Sequence, residues 1–113
     1  MEVDIQMVYL MINSYYPGHK LKEVGDKYIR VRNESELKPS HAKRIVPVGV
    51  YSTTNGFRVT AIYDVKPGQL EESIRILTKS MLILTEIEGY TYTMEVLLSG
   101  TEAMPMIGMK MPE

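Results

Sequence analysis

The spacing of apolar residues along the chain changes several times, and each change predicts a secondary-structure element. Residues 3–13 are mostly apolar and rich in β-formers, which predicts a strand buried on both faces. A turn is expected at 14–18, where proline and glycine follow each other. From Leu21 to Val31 apolar residues recur three or four positions apart, which indicates one face of a helix ending near residues 32–33.

The middle of the chain predicts a β-hairpin. The polar stretch 34–44 is expected to be a loop, and strands are predicted at 45–53 and 57–65. Pro47 lies inside the first of these strands and cannot donate a ladder hydrogen bond, so this strand is expected at a sheet edge. The sequence Thr54-Asn55-Gly56 predicts a tight turn in which Asn and Gly supply positive φ angles.

The last third repeats the plan of the first. Apolar residues at helical spacing run from Leu70 to Leu84, and the helix is expected to end at residues 88–89. A strand is predicted at 90–99, and the Met- and Pro-rich tail 100–113 has no assigned structure. Both predicted helices follow a Pro-Gly pair, at Pro17 and at Pro67, 50 residues apart.

The predicted order β-α-β-β-α-β, built from two similar halves, is typical of the ferredoxin-like α+β fold. Its four-stranded antiparallel sheet carries two helices on one face, and crossovers are expected to be right-handed. We expect a single domain over 1–113, with its core in 3–99.

Composition excludes several classes of function. The 113 residues contain no cysteine, so disulfides, thiolate metal sites and cysteine nucleophiles are absent. A net charge of −1 argues against general nucleic-acid or anionic-membrane binding. No apolar run approaches the roughly 18 residues of a membrane span, and the acidic start is unlike a secretory signal. The expected location is the cytoplasm.

The sheet face that the two helices leave bare is expected to be an interface. The first strand places Met7, Tyr9 and Met11 on one side and Val8, Leu10 and Ile12 on the other, and neither predicted face is polar enough to stand in water. The chain also contains nine methionines and eight tyrosines, more large side chains than one sheet and two helices need. We therefore expect a homodimer or higher homo-oligomer, with sheets packed face to face.

Here the chain resembles the dimeric α+β barrel superfamily. The resemblance rests on the element order, the Pro-Gly helix entries, the Thr54-Asn55-Gly56 turn and the run 87–90 that leads to Tyr92 and Glu95. Similar proteins include small monooxygenases of antibiotic biosynthesis, haem-degrading enzymes and stress-response barrels. The resemblance implies a dimer with a cavity between sheet and helices or between sheets, and it selects no chemistry.

The candidate site residues lie mainly on the strands. Arg58 and Glu95 share strand parity, so both are expected on one face, where Arg58 would bind a carboxylate or enolate and Glu95 would act as a base. Tyr63 and Tyr92 are further candidates for ligand binding. The alternative for Arg58 and Glu95 is a cross-strand ion pair without a functional role.

Basic residues outside the strands supply a second set of candidates. His19 and Lys20 precede the first helix, where backbone N–H groups bind anions. His41 lies in the long loop and is a candidate general acid or base. The alternative for each is an ordinary solvated surface. Two histidines without cysteine make a transition-metal site improbable, and no cofactor is predicted.

Three functions remain open on sequence grounds. The first is a barrel that binds a small, largely apolar molecule, either neutral or anionic. The second is a cofactor-independent enzyme of the monooxygenase or isomerase kind, with Glu95 or a histidine as the base and Arg58 or a tyrosine as the oxyanion stabiliser. The third is a structural oligomer with no small-molecule site.

Overall fold

An antiparallel sheet and two helices form the part of the chain that the structure describes, residues 8–98 and 104–109 of a computed structural model. The strands are β1 (Val8–Tyr16), β2 (Ala42–Thr53), β3 (Gly56–Val65) and β4 (Thr91–Leu98). The helices are α1 (Leu21–Asn33) and α2 (Leu70–Leu84), and short 3₁₀ turns cover Gly18–Lys20 and Met104–Ile107. The protein is therefore an α+β protein, as predicted.

The described strands are arranged in the order β2-β3-β1-β4, with every neighbouring pair antiparallel. β1 is central: Ile12 lies opposite Ala61 of β3 on one side and Met94 of β4 on the other. The sheet is open and does not close into a barrel within one chain.

Alternation of side chains across the strands places the core on the face that carries the helices. On β1 the buried side chains are those of Leu10, Ile12, Ser14 and Tyr16, all with even numbers. On β3 the corresponding parity buries Tyr63 and Val65. The helices contribute further buried side chains to this layer, among them Val24, Val31, Leu77 and Leu84.

Within one chain, the described part of the first strand is buried on one face only. Tyr9, Met11 and Asn13 are only half-buried, and Tyr15 is exposed. The physical reason is that both helices pack on the same side of the sheet. The strand also continues to Tyr16, so residues 14–16 are not a turn.

The edge position of β2 within the described sheet agrees with Pro47. The pairing of β2 with β3 shifts register between Arg44 and Val46 and again between Val46 and Gly49. These shifts surround the proline, where a missing N–H interrupts the ladder. β2 begins at Ala42 rather than at residue 45, so the loop before it is shorter than predicted.

The hairpin between β2 and β3 is present, but its turn differs from the prediction. Thr53 pairs with Gly56, so Thr54 and Asn55 form the turn, and no residue other than glycine has positive φ among the described residues. Gly56 itself has φ of 137°. It begins β3 directly against the backbone of Tyr16, where a Cβ would overlap the Tyr16 carbonyl oxygen.

α2 ends at Leu84, before the predicted end at residues 88–89. The Thr85 hydroxyl donates to the Leu82 carbonyl oxygen at 2.7 Å, which satisfies one of the last helical carbonyls. Gly89 adopts φ of 87° and precedes β4.

Some predictions fall outside the described residues. These are the start of the first strand at 3–7, the end of the last at residue 99, and the tail at 100–103 and 110–113. No helix in the described ranges is long and apolar enough to cross a membrane.

Candidate functional site

A cavity of about 200 Å³ lies between the helices and the core face of the sheet. We call it the inner cavity. Most of its lining is apolar, with a few hydroxyl groups and one cation. The lining residues are Ile12, Ser14, Tyr16, Leu21, Val24, Gly25, Tyr28, Arg44, Val50, Val59, Ala61, Tyr63, Met81 and Tyr90.

The inner cavity borders solvent between α1 and β2. Leu21 of α1 is 49% exposed and Val50 of β2 is 61% exposed, although both line the cavity. Gly25 lies between Leu21 and Tyr28 along α1 and also lines the cavity. A Cβ at this position would meet no atom within 4 Å. The glycine therefore leaves space beside the cavity in the interior of a helix, where alanine is more stable by about 1 kcal/mol.

Arg44 is the cation of this cavity, and tyrosines hold it in place. Its two terminal nitrogens donate to Tyr28 Oη at 3.1 Å and to Tyr63 Oη at 2.9 Å. The Arg44 guanidinium carbon also lies 5.3 Å from the centre of the Tyr63 ring, a cation–π distance. Tyr63 is buried and belongs to the core, so it holds the Arg44 guanidinium against the core side of the cavity.

The charge of Arg44 has no carboxylate counterpart in the described part of the chain, where no Asp or Glu oxygen lies within 4 Å of it. Burial lowers the pKa of Arg44, but its interactions with Tyr63 and Tyr28 outweigh this and raise the pKa above its ordinary value. The side chain thus remains charged. Two of its five N–H donors are used by the tyrosines, which leaves three for solvent or a ligand.

The end of the inner cavity is aromatic. Tyr16 stacks on Tyr90 with ring centres 5.9 Å apart, and it lies 5.5 Å from Phe57. Burial raises the pKa of Tyr16. It also raises the pKa of Tyr90, against a smaller lowering by a hydrogen bond with Ser14. Both hydroxyls therefore stay protonated at neutral pH and cannot serve as bases there.

A second cavity of about 280 Å³ lies on the other side of Arg44. We call it the outer cavity. It shares Tyr28, Arg44, Tyr63 and Met81 with the inner cavity, so these four residues form the boundary between the two. Its lining includes the cationic residues Arg32, Lys38 and Arg44, and no Asp or Glu is among its lining residues in the described structure. Lys43 also borders it, but this residue alternates with Arg44 and pairs with Asp64, so its side chain lies on the other face of the sheet.

Arg58 and Glu95 lie on the opposite side of the sheet from both cavities. They share a face, as their parity predicts, because Arg58 pairs with Tyr15 and Glu95 with Met11. These two positions on β1 are four residues apart, and the two strands flank β1, so the Cα atoms are about 16 Å apart at standard strand spacings. The fold does not bring them together as a base and an oxyanion stabiliser within one copy of the chain.

His41 has a structural role in the turn before β2. Its Nδ1 accepts a hydrogen bond from the Lys38 amide at 3.0 Å, and its carbonyl oxygen accepts from the Lys66 amide at 3.0 Å and the Ser73 hydroxyl at 3.4 Å. His41 does not line either cavity. These bonds join the loop to the start of α2.

His19 and Lys20 lie in the short 3₁₀ turn before α1, rather than in the helix itself. His19 is exposed. Lys20 Nζ lies 3.3 Å from Glu23 and Lys22 Nζ 3.2 Å from Asp26, so nearby carboxylates offset part of the positive charge. Exposed pairs of this kind contribute only about 0.3–0.5 kcal/mol each.

Of the predicted binding residues, Tyr63 lines both cavities, whereas Tyr92 packs between the core clusters without lining either. Arg44 is not among the predicted site residues, because residues 34–44 are predicted to form a loop. With β2 starting at Ala42, the alternation of the strand would have put Arg44 on the core face. A charged residue at such a position is the signal that was available.

A scan against protein-family models finds no match, and no curated protein matches the sequence. Within the residues that the structure describes, no three histidine, aspartate or glutamate side chains cluster in a way that could hold a metal ion. The geometry of the two cavities must therefore carry the functional argument.

Proposed function

We propose that this protein binds a small, largely apolar molecule in the inner cavity. The single observation that carries the proposal is the inner cavity itself, an apolar space of about 200 Å³ between the sheet and the helices. Small-ligand sites are typically apolar pockets with a few placed polar groups. Here those groups are the hydroxyls of Tyr28, Tyr63 and Ser14 and the guanidinium of Arg44.

Dehydration of the lining favours a ligand as the occupant of the inner cavity. The cavity borders solvent, and most of its lining is apolar. A bound apolar molecule removes this lining from water, which contributes roughly 25 cal/mol per Å² of buried apolar surface, and gains dispersion contacts with it.

Binding fits the inner cavity better than acid–base catalysis does. Glu95 lies on the other face of the sheet, and His41 uses its Nδ1 to hold a turn. The described lining residues include no carboxylate or histidine. The enzyme alternative would require a base from elsewhere, for example from a second copy of the chain.

We further propose that the fold is ferredoxin-like and that a second copy covers the bare sheet face. The strand order supports the first part, because each β-helix-β connection spans one intervening antiparallel strand. The half-buried Tyr9, Met11 and Ile62, with exposed Tyr15, support the second. Four strands of about nine residues project roughly 550 Å². Because side chains project from the sheet, the accessible surface of this face is larger than its projected area and approaches the roughly 800 Å² per partner of a stable interface.

The ligand proposal is tested with N-phenyl-1-naphthylamine, a neutral fluorophore whose emission rises in apolar surroundings. We expect saturable binding to the wild-type protein and its loss in Gly25→Leu, because the new side chain enters the inner cavity. Gly25→Ala is the matched control, since it gains the same helix propensity but occupies little of the cavity. Equal binding by Gly25→Leu and Gly25→Ala would refute the site, and no saturable binding to the wild type would favour a structural oligomer.

The second copy is tested by light scattering after size-exclusion chromatography. One chain has a mass of 12.9 kDa, so a dimer is expected near twice this value. Met11→Glu places a second carboxylate opposite Glu95 at the centre of the bare face and is expected to yield monomer. Lys22→Met, on the exposed side of α1, is the control. A monomeric wild type at micromolar concentration would rule out the interface.

A further inference from the structure

The two cavities meet at Arg44, and their chemistry differs on its two sides. The inner cavity is largely apolar, whereas the lining of the outer cavity includes the cationic residues Arg32, Lys38 and Arg44. The whole chain carries a net charge of −1, so this cluster is a local feature and does not follow from overall charge. Clustered cations beside low-dielectric walls attract anions.

We infer that the ligand is an amphipathic anion whose apolar body occupies the inner cavity and whose charged group binds Arg44 at the boundary with the outer cavity. This inference rests on the proposed function and adds the chemical class of the ligand. It selects molecules such as aromatic or aliphatic carboxylates over neutral apolar compounds.

The orientation of Arg44 supports this class. One terminal nitrogen of Arg44 donates to Tyr28 and the other to Tyr63, and both tyrosines belong to the boundary between the cavities. The guanidinium is thereby fixed before a ligand arrives, which reduces the entropy lost on binding. Its remaining N–H donors suit a carboxylate, and such charge-assisted bonds are stronger than neutral ones.

The neighbouring cations extend the attraction around the outer cavity. Arg32 donates to Tyr28 Oη at 3.3 Å, so the same hydroxyl accepts from both arginines. Lys38 lies in the loop that His41 holds closed through its Nδ1. Both Arg32 and Lys38 are exposed, and their substitution does not disturb the buried core.

The experiment compares two ligands of nearly the same shape, 2-naphthoate and 2-naphthylmethanol, as competitors of N-phenyl-1-naphthylamine. We expect the wild-type protein to bind the carboxylate about tenfold more tightly than the alcohol, which corresponds to about 1.4 kcal/mol. In Arg44→Met the preference should fall to about one, with binding of the alcohol retained. Equal binding of both ligands by the wild type would overturn the inference while leaving the proposed function intact. If neither ligand competes and the fluorophore does not bind, the proposed function itself fails.

A double variant keeps the test independent of the folding of Arg44→Met. Arg32→Met/Lys38→Met removes two exposed cations of the outer cavity and should reduce the preference for the carboxylate about threefold, in line with modest exposed charge interactions. Lys22→Met/Arg30→Met removes the same charge from exposed positions of α1 outside both cavities and should leave the preference unchanged. Equal effects of the two double variants would show that only net charge matters and would overturn the assignment.

Discussion

Gly56 offers the sharpest test of how the sheet is built, because two separate physical effects forbid a side chain there. Its φ of 137° lies in a region that L-residues rarely adopt. A Cβ at this position would also overlap the Tyr16 carbonyl oxygen and lie 3.1 Å from the Pro17 Cα. Both neighbours are backbone atoms at the end of β1, so neither can rotate away.

The magnitude follows from comparison with Gly68. Gly68 also has positive φ, at 78°, but a Cβ there meets nothing within 4 Å. Gly68→Ala therefore isolates the backbone strain, about 1–2 kcal/mol. Gly56→Ala adds displacement of the β1 backbone, for an expected total of about 3–5 kcal/mol. Gly89→Ala should fall between the two, since its Cβ would lie 2.7 Å from the Pro17 side chain.

Urea unfolding followed by circular dichroism measures these free energies for the three alanine variants. At about 4 °C per kcal/mol for a chain of this length, Gly56→Ala should also lower Tm by about 12–20 °C. If Gly56→Ala is no more destabilised than Gly68→Ala, the close approach to Tyr16 has no energetic consequence, and this explanation of Gly56 is wrong.

Two further predictions concern the packing of the core and the titration of the buried Tyr90. Leu10 is fully buried in β1, so Leu10→Ala should lower the free energy of unfolding by about 2–5 kcal/mol. Leu82→Ala is the control, because this position is 56% exposed and the change should be about 0.5 kcal/mol or less. Similar losses for the two variants in urea unfolding would contradict this placement of the core. Burial raises the pKa of Tyr90, so the folded state retains a proton that the unfolded chain loses near pH 10. The stability contributed by the protonated Tyr90 is complete below about pH 10 and is lost as pH rises through the folded pKa. Tyr90→Phe should therefore lose less stability than the wild type between about pH 9 and pH 11, and parallel pH profiles would argue against this role of Tyr90.

Much of the architecture was predictable because it depends on local periodicity. The apolar spacing from Leu21 to Val31 and from Leu70 to Leu84 predicted both helices, although α2 ends at Leu84 and not at residues 88–89. Strand parity correctly placed Arg58 and Glu95 on one face. Parity follows from the two-residue repeat of a strand and needs no tertiary information.

The candidate site was less predictable, because it depends on contacts between distant parts of the chain. Arg44 meets Tyr28 and Tyr63, which lie 16 and 19 residues away in sequence. Whether a charged residue near the start of a strand faces a loop or a core depends on where pairing begins. That point is set by the partner strand β3 and by the His41 turn.

The sequence by itself determined the types and order of the elements, since backbone propensity and apolar spacing act over a few residues. It also determined which side chains share a strand face. The tertiary structure alone decided which face the helices cover, because both helices pack on one side of the sheet. It also decided that the space above that face is incompletely filled, with Arg44 at its boundary. Cavities and buried charges are properties of the assembled layers, in which each wall comes from a different element.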